Sequence, residues 1–349
     1  MQEACKIPIL SLKAKKPLFA AFQSIVRQYN ATCLDDTRAI IAIQGEQALS
    51  FLQGLITNDV RKFDKEGGRL SPLYAVILSS KGKVLNDIFI HPQKDDPTRF
   101  LLDLSRNSYL ETKQMLERYK LRRKINLDDV SNSHHVWVCR DDHLPTDPFL
   151  RDSFLKDPRL PEIGCRAVLA SNQHAQILAS SFSSPASPVP TAPSAAFAAH
   201  RYRLGVAEGD LEIPSGVAAP LEFNLDRLNG ISYEKGCYIG QERTSYAHFR
   251  GITRRRLAPI RILSEDANVM AGADVTNADG SKVLGTVRGV AGEDAIALVS
   301  IKDFSQAAKE RGGEGESALK VRAADGNLIQ IQAFRPQWWS NEWGSEEGL

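Results

Sequence analysis

The chain has 349 residues, with 44 Lys and Arg against 42 Asp and Glu and a formal net charge of +2. A chain of this length can bury more than one hydrophobic core, and its near balance of charge excludes a protein that coats nucleic acid along its whole length. No run of about twenty apolar residues is present to span a bilayer, so neither nucleic acid nor membrane is an expected partner.

Residues 1–30 carry Lys6, Lys13, Lys15, Lys16 and Arg27 against the single acid Glu3, with Leu18, Phe19, Phe22, Ile25 and Val26 among them. A basic, acid-poor and amphipathic segment predicts a mitochondrial transit peptide, and hence a mature protein in the mitochondrial matrix. An ordinary basic N-terminal helix is the alternative.

Residues 31–170 read as an α+β domain. Thr37–Ile43 runs as a strand, and Glu46–Leu55 places Ala48, Phe51, Leu52 and Leu55 on one helical face. The helix ends at Ile56-Thr57-Asn58-Asp59, whose short polar side chains favour turns. Leu73–Leu78 and Val84–Ile90, joined through Lys81-Gly82-Lys83, predict a hairpin. Arg99–Leu104 predicts a further strand. Ser105 is placed to cap a helix running to about Lys120, with Tyr109, Leu116 and Tyr119 facing inward. Leu121–Leu127 and His135–Cys139 complete an alternating β/α unit, which gives an α+β fold built from ferredoxin-like units.

Residues 171–194 are dominated by Ser, Pro and Ala and are expected to be a disordered insertion. Residues 195–255 continue the α+β region, beginning with a helix over Ala195–Leu204 that stops at Gly205. Residues 256–335 hold short strands divided by Gly and Asn-Ala-Asp-Gly signals, the pattern of a small β-barrel. In the tail, 336–349, Trp338, Trp339 and Trp343 are expected to dock on that barrel.

The five cysteines, Cys5, Cys33, Cys139, Cys165 and Cys237, form no C-x-x-C pair. Neither a zinc ribbon nor a thioredoxin-like site is indicated, and no tightly held metal is expected in the isolated chain. One segment stands apart. Lys235, Gly236, Cys237, Tyr238, Gly240, Gln241, Glu242 and Arg243 compress a thiol, cations and two glycines into nine positions. Nearby cations favour a thiolate, so Lys235 and Arg243 are expected to activate Cys237, and the glycines allow close backbone approach. Cys237 then becomes a functional thiol and a transient iron ligand at a shared interface. The competing reading is a buried structural cysteine in a glycine-rich turn. Downstream, Arg243, His248, Arg250, Arg254, Arg255 and Arg256 predict a basic surface for an acidic partner or a folate glutamate tail.

The run Lys235-Gly236-Cys237-Tyr238-Ile239-Gly240-Gln241-Glu242 resembles the signature of the YgfZ/GcvT-like folate-binding family, which includes the mitochondrial Iba-type iron–sulfur cluster assembly factors. Phe51–Val60, Tyr74–Phe89, Asp157-Pro158-Arg159, Arg201–Asp210, Ile213–Gly216 and Pro220–Leu225 resemble the family's other blocks. The resemblance implies a three-part ring with a central folate-sized pocket, related to the aminomethyltransferase of the glycine cleavage system. It also implies work beside A-type iron–sulfur scaffold proteins, with a ferredoxin as a further partner, in making 4Fe-4S clusters. By the same resemblance, Asn58, Asp59, Asn86, Asp87 and Tyr202 are the candidates to line a tetrahydrofolate pocket. Taken singly, each also has a plain turn-forming or backbone-satisfying explanation. The alternative function is a tetrahydrofolate-dependent one-carbon transferase; otherwise the chain is a non-enzymatic assembly factor. Two departures weigh against the transferase. Where the enzyme has an Asp-Asp pair this chain has Asn86-Asp87, and an amide cannot act as a general base; and the enzyme has no cysteine at the position of Cys237. A Thr-His-His-type stretch of relatives reads Ser245-Tyr246-Ala247-His248 here.

Overall fold

The computed structural model describes residues 31–65, 71–182, 194–264, 267–309, 319–340 and 343. The expected transit peptide lies outside them. Strands β1 (Ala31–Cys33) and β2 (Arg38–Gln44) lead into the helix Ala48–Gln53, and β3 (Leu73–Leu78) and β4 (Val84–Gln93) form the expected hairpin. Strand β5 (Asp96–Ser105), the helix Tyr109–Lys120, β6 (Asn126–Asp129) and β7 (His134–Cys139) follow. An antiparallel five-stranded sheet results, in the order β3-β4-β5-β2-β6.

Alternation along these strands gives the sheet two unlike faces. Ile41, Ile43, Ala75, Ile77, Ile88, Ile90, Leu102 and Leu104 pack with Phe51, Leu52 and Leu116 of the two helices. The opposite face carries Arg38, Asp87, Phe89, His91 and Asp103, all buried. Two helix details differ from expectation. The helix is flanked by Ser108 rather than Ser105, because Ser105 is still strand, paired with Arg38. Tyr119 is 40 % exposed, so only Leu116 and, in part, Tyr109 face the core.

A second antiparallel sheet has the order β1-β7-β9-β8, with β8 at Leu155–Lys156 and β9 at Cys165–Ala170. The expected disorder over 171–194 is corrected in its first half, since Ser171–Phe182 is a helix whose Ile177 joins the core of this sheet. All the prolines of the segment lie beyond that helix, and residues 183–193 are outside the described part. The helix Ser194–Arg203 ends before Gly205, at φ +72°.

Strands β10 (Arg255–Ile262), β11 (Asp274–Asn277), β12 (Val283–Ala291), β13 (Asp294–Ser300), β14 (Leu319–Arg322) and β15 (Leu328–Ala333) close a barrel in the order β10-β13-β12-β11-β14-β15. Trp339 is 3 % exposed in its core against Phe304, so the tail docks as expected. Among the described residues no helix is long and apolar enough to cross a membrane.

Candidate functional site

The signature loop is held at three points. Lys235 is buried, and its Nζ donates to the carbonyls of Gln53 (2.7 Å), Ile56 (2.7 Å) and Asn58 (2.8 Å), just beyond the helix Ala48–Gln53. The Gln53 carbonyl is one that the helix end leaves without an intrahelical partner, the other two belong to the turn that follows, and an ammonium has three donors to give them. Tyr238 is buried in the core, its ring centre 5.0 Å from the same Nζ. Gly240, at φ +80°, precedes the helix Gln241–Arg250 and abuts the β3–β4 turn. A Cβ there would stand 2.8 Å from Leu78 Cβ and closer still to the Ser79 carbonyl oxygen.

Between these anchors Gly236 and Cys237 are exposed, and no atom lies within 4 Å of where a Gly236 Cβ would stand. The buried-cysteine reading is thereby excluded for Cys237. It describes Cys139 instead, which is fully buried. Cys165 is also buried, and burial pushes its thiol up to about 12.

The role expected of Lys235 needs correction. All three of its donors are engaged by carbonyls, so it is an anchor of the loop rather than a partner of the thiol. Burial pulls its pKa down to about 8, while Asp59 opposes that shift. Arg243 is exposed, with its Cβ close over Gly82 of the hairpin turn. Gln241 is half-buried and Glu242 exposed at the start of the helix, where a carboxylate suits the helix dipole.

The basic surface is smaller than expected. Arg256 is buried, paired with Asp226 at 3.0 Å and covered by the Trp343 ring at 3.4 Å, and Arg255 pairs with Glu222 at 2.9 Å. Arg243, Arg250 and Arg254 remain exposed beside exposed Tyr246, Phe249 and Ile252, and His248 stacks on Tyr233 at 3.6 Å.

The five residues expected around a folate are not gathered into one cavity. Asn58 donates to the carbonyls of Tyr74 and Asn229 and lines a cavity of about 510 Å³ with Phe63, Tyr74, Asp157 and Asn229. Asp59 is held by Arg61 (2.6 Å) and Gln53, and the Arg61 hydrogen bond keeps its carboxyl well below the usual range. Asn86 lies on the helix-covered face, its amide donating to Ser108 and Thr112. Asp87 points the other way and accepts from Arg38 (3.2 Å) and the Gly209 backbone (3.1 Å). Tyr202 lines a separate cavity of about 310 Å³ and donates to Glu212. As a set, these side chains do not fit one bound folate.

Sequence reading missed what fills the space between the two sheets. Arg38 and Arg166 bind Asp103 at 2.6 and 2.7 Å, while Arg159 binds Asp157 and Glu208, both at 2.8 Å. Arg166 also reaches Glu208 at 3.1 Å, and its guanidinium lies 3.9 Å from the Phe89 ring centre. Burial pushes Asp103 and Glu208 up, but the arginines outweigh it and hold both carboxyls below their usual range. For Asp87 burial wins over Arg38, and its pKa is raised. The available signal was a charge at an inward position of an apolar strand, as in Arg38-Ala-Ile-Ile and Leu-Leu-Asp103-Leu.

This architecture matches solved structure. The chain superposes on the glycine cleavage system aminomethyltransferase T from Bartonella henselae with a TM-score of 0.65 and 14 % identity, over 93 % of this chain and 90 % of that one, which establishes the fold. Residues 254–341 match the family described as CAF17, C-terminal beta-barrel domain. In its overall fold and its C-terminal barrel the chain is similar to these proteins. In sequence, the chain is similar to the iron-sulfur cluster assembly factor IBA57 homolog, mitochondrial, of Mycosarcoma maydis, at 34 % identity over 229 residues. That match takes in 64 % of this chain and 55 % of the relative, so the chain spans about half the length of the fungal protein. It is similar also to the IBA57 factor of Homo sapiens, at 29 % identity over 324 residues, 87 % of this chain and 84 % of that one.

Proposed function

We propose that the chain is a non-enzymatic iron–sulfur cluster assembly factor of the mitochondrial matrix, acting beside A-type scaffold proteins in making 4Fe-4S clusters. The observation that carries this reading is the exposed Cys237, held between buried Lys235 and Gly240 on a loop fixed to both the helix Ala48–Gln53 and the β3–β4 turn. A single thiolate suffices when the partner brings the iron and its remaining ligands. Cys237 gives up its proton to solvent and supplies one sulfur ligand to the passing cluster, while Gly236 leaves room for the partner's backbone. Similarity to relatives named as mitochondrial cluster assembly factors supports both the role and the compartment. A ferredoxin supplying electrons is a further partner in this reading.

The one-carbon transferase reading finds less support. Its key carboxylate, Asp87, has a side chain that is 0 % exposed and is bound to Arg38 and Gly209. The test is Cys237→Ala in cells lacking their own factor, with aconitase activity and protein lipoylation as readouts. Both should stay depressed although the variant folds, and full restoration of both would overturn the thiol role.

A further inference from the structure

Cys33, His135 and His174 come from three separate parts of the sequence, and their candidate ligand atoms all lie within 4.8 Å of one another. Cys33 ends β1 opposite Trp137 of β7, His135 lies two residues from Trp137 on the same strand, and His174 comes from the helix Ser171–Phe182. The two imidazoles stack with centroids 4.0 Å apart. All three residues are half-buried, within reach of solvent.

The surrounding groups orient these side chains as ligands. Asp35 Oδ2 is 2.6 Å from His135 Nδ1 and so holds the ring proton there, leaving the Nε2 lone pair free to accept from the Ser171 hydroxyl at 3.3 Å. A carboxylate behind a histidine is the usual outer partner of a metal ligand. Asp35 also hydrogen-bonds Cys33. Trp137 Nε1 donates to His174 Nδ1 at 3.1 Å, so the ring proton sits on Nε2 and a cation that takes the Nδ1 lone pair displaces the indole N–H. Metal–nitrogen bonds of about 2.1 Å and metal–sulfur bonds of about 2.3 Å place tetrahedral ligand atoms roughly 3.3–3.7 Å apart. Closing from the observed spacing therefore needs side-chain shifts of about 1 Å.

We propose that Cys33, His135 and His174 form a three-ligand site for a borderline-soft divalent cation of the Zn²⁺ type, with water as the fourth ligand. One sulfur and two imidazoles suit zinc better than magnesium or calcium, and three protein ligands leave an open position. Burial pushes the Cys33 thiol up to about 12, so Cys33 enters as a thiol and releases its proton to solvent as the metal–sulfur bond forms. The site lies on the β1-β7-β9-β8 sheet, whereas the Cys237 loop packs on the β3–β4 hairpin, so this inference does not depend on the assembly role. It replaces the expectation, drawn from cysteine spacing, that the isolated chain holds no metal.

The test is anaerobic titration of the full chain with Co²⁺ in a Cys237→Ser background, which removes the exposed thiol. One Co²⁺ should bind per chain, with tetrahedral ligand-field bands and a thiolate-to-cobalt charge-transfer band, and Zn²⁺ should displace it. Cys33→Ser should abolish the charge-transfer band. His174→Ala, on the surface helix, should lower affinity by at least tenfold, and Asp35→Asn by about 10–100-fold. Absence of the charge-transfer band, its survival in Cys33→Ser, or unchanged affinity in His174→Ala would each overturn the proposal.

Discussion

Two glycines of the signature, four positions apart, should respond in opposite ways to the same added methyl group. At Gly240 the backbone is at φ +80°, where a side chain costs about 1–2 kcal/mol. The new Cβ would also meet Leu78 Cβ at 2.8 Å and, closer still, the Ser79 carbonyl oxygen; the latter is backbone and cannot rotate away. Overpacking of this kind costs typically about 1–3 kcal/mol, so Gly240→Ala should lose about 2–5 kcal/mol in total. At Gly236 nothing lies within 4 Å of the added atom, and the φ is not in the left-handed region. Alanine there should be neutral or stabilise by up to about 1 kcal/mol, through the unfolded chain. Urea unfolding followed by circular dichroism measures both. Co-purification with an A-type scaffold then separates folding from docking, since a stable Gly236→Ala protein that binds the scaffold more weakly places the partner against the open side of the loop. A loss below about 1 kcal/mol for Gly240→Ala would refute the argument that this glycine seats the loop on the hairpin.

The buried charges give two further tests. Arg159→Met removes a guanidinium that is 0 % exposed from Asp157 and Glu208, leaving carboxylates short of a buried cation, and should cost about 3–5 kcal/mol in urea unfolding. A loss under about 1 kcal/mol would show that water or a neighbouring arginine replaces it. His91 is pulled from 6.5 to about 4, first by burial and then by Arg166 and Arg38, against the opposing Asp103. The unfolded chain therefore takes up this proton first, so the contribution is full above pH 6.5 and is lost as pH falls toward 4, by up to ~3 kcal/mol. Stability curves of the native chain and His91→Asn should converge across that window, and parallel curves would refute the assignment.

Local pattern carried the strands and the hairpin, because two short, largely apolar runs, Leu73–Leu78 and Val84–Ile90, flank the turn at Lys81-Gly82-Lys83. The pattern around Cys237 fitted either a reactive or a buried thiol, and exposure in the fold decides between them. The role of Lys235 was not legible. Proximity in sequence to Cys237 suggested an electrostatic partner, but the loop sends the lysine inward to carbonyls more than a hundred positions away. The arginine network was invisible for the same reason. Arg38, Asp103 and Arg166 are isolated charges in apolar strands and Arg159, Asp157 and Glu208 lie in connecting segments, and only pairing of β2 with β5 and packing against β9 brings Arg38, Asp103 and Arg166 together. The helix Ser171–Phe182 was hidden by averaging, because the prolines that dominate the segment all follow it.

The β3–β4 hairpin divides the molecule's chemistry between its body and its tip. In the body, Asp87 is committed to Arg38 and Gly209 and the Asn86 amide nitrogen to Ser108 and Thr112, while Asn86 Oδ1 is buried without a hydrogen-bond partner. At the tip, Ser79 and Gly82 form the surface on which Gly240 and Arg243 rest, and through them the exposed Cys237 is held in place. The hairpin thus serves as a mount for an outer thiol. Substitutions in the body should register in stability, whereas those at Gly236 or Cys237 should register in cluster transfer with the fold intact.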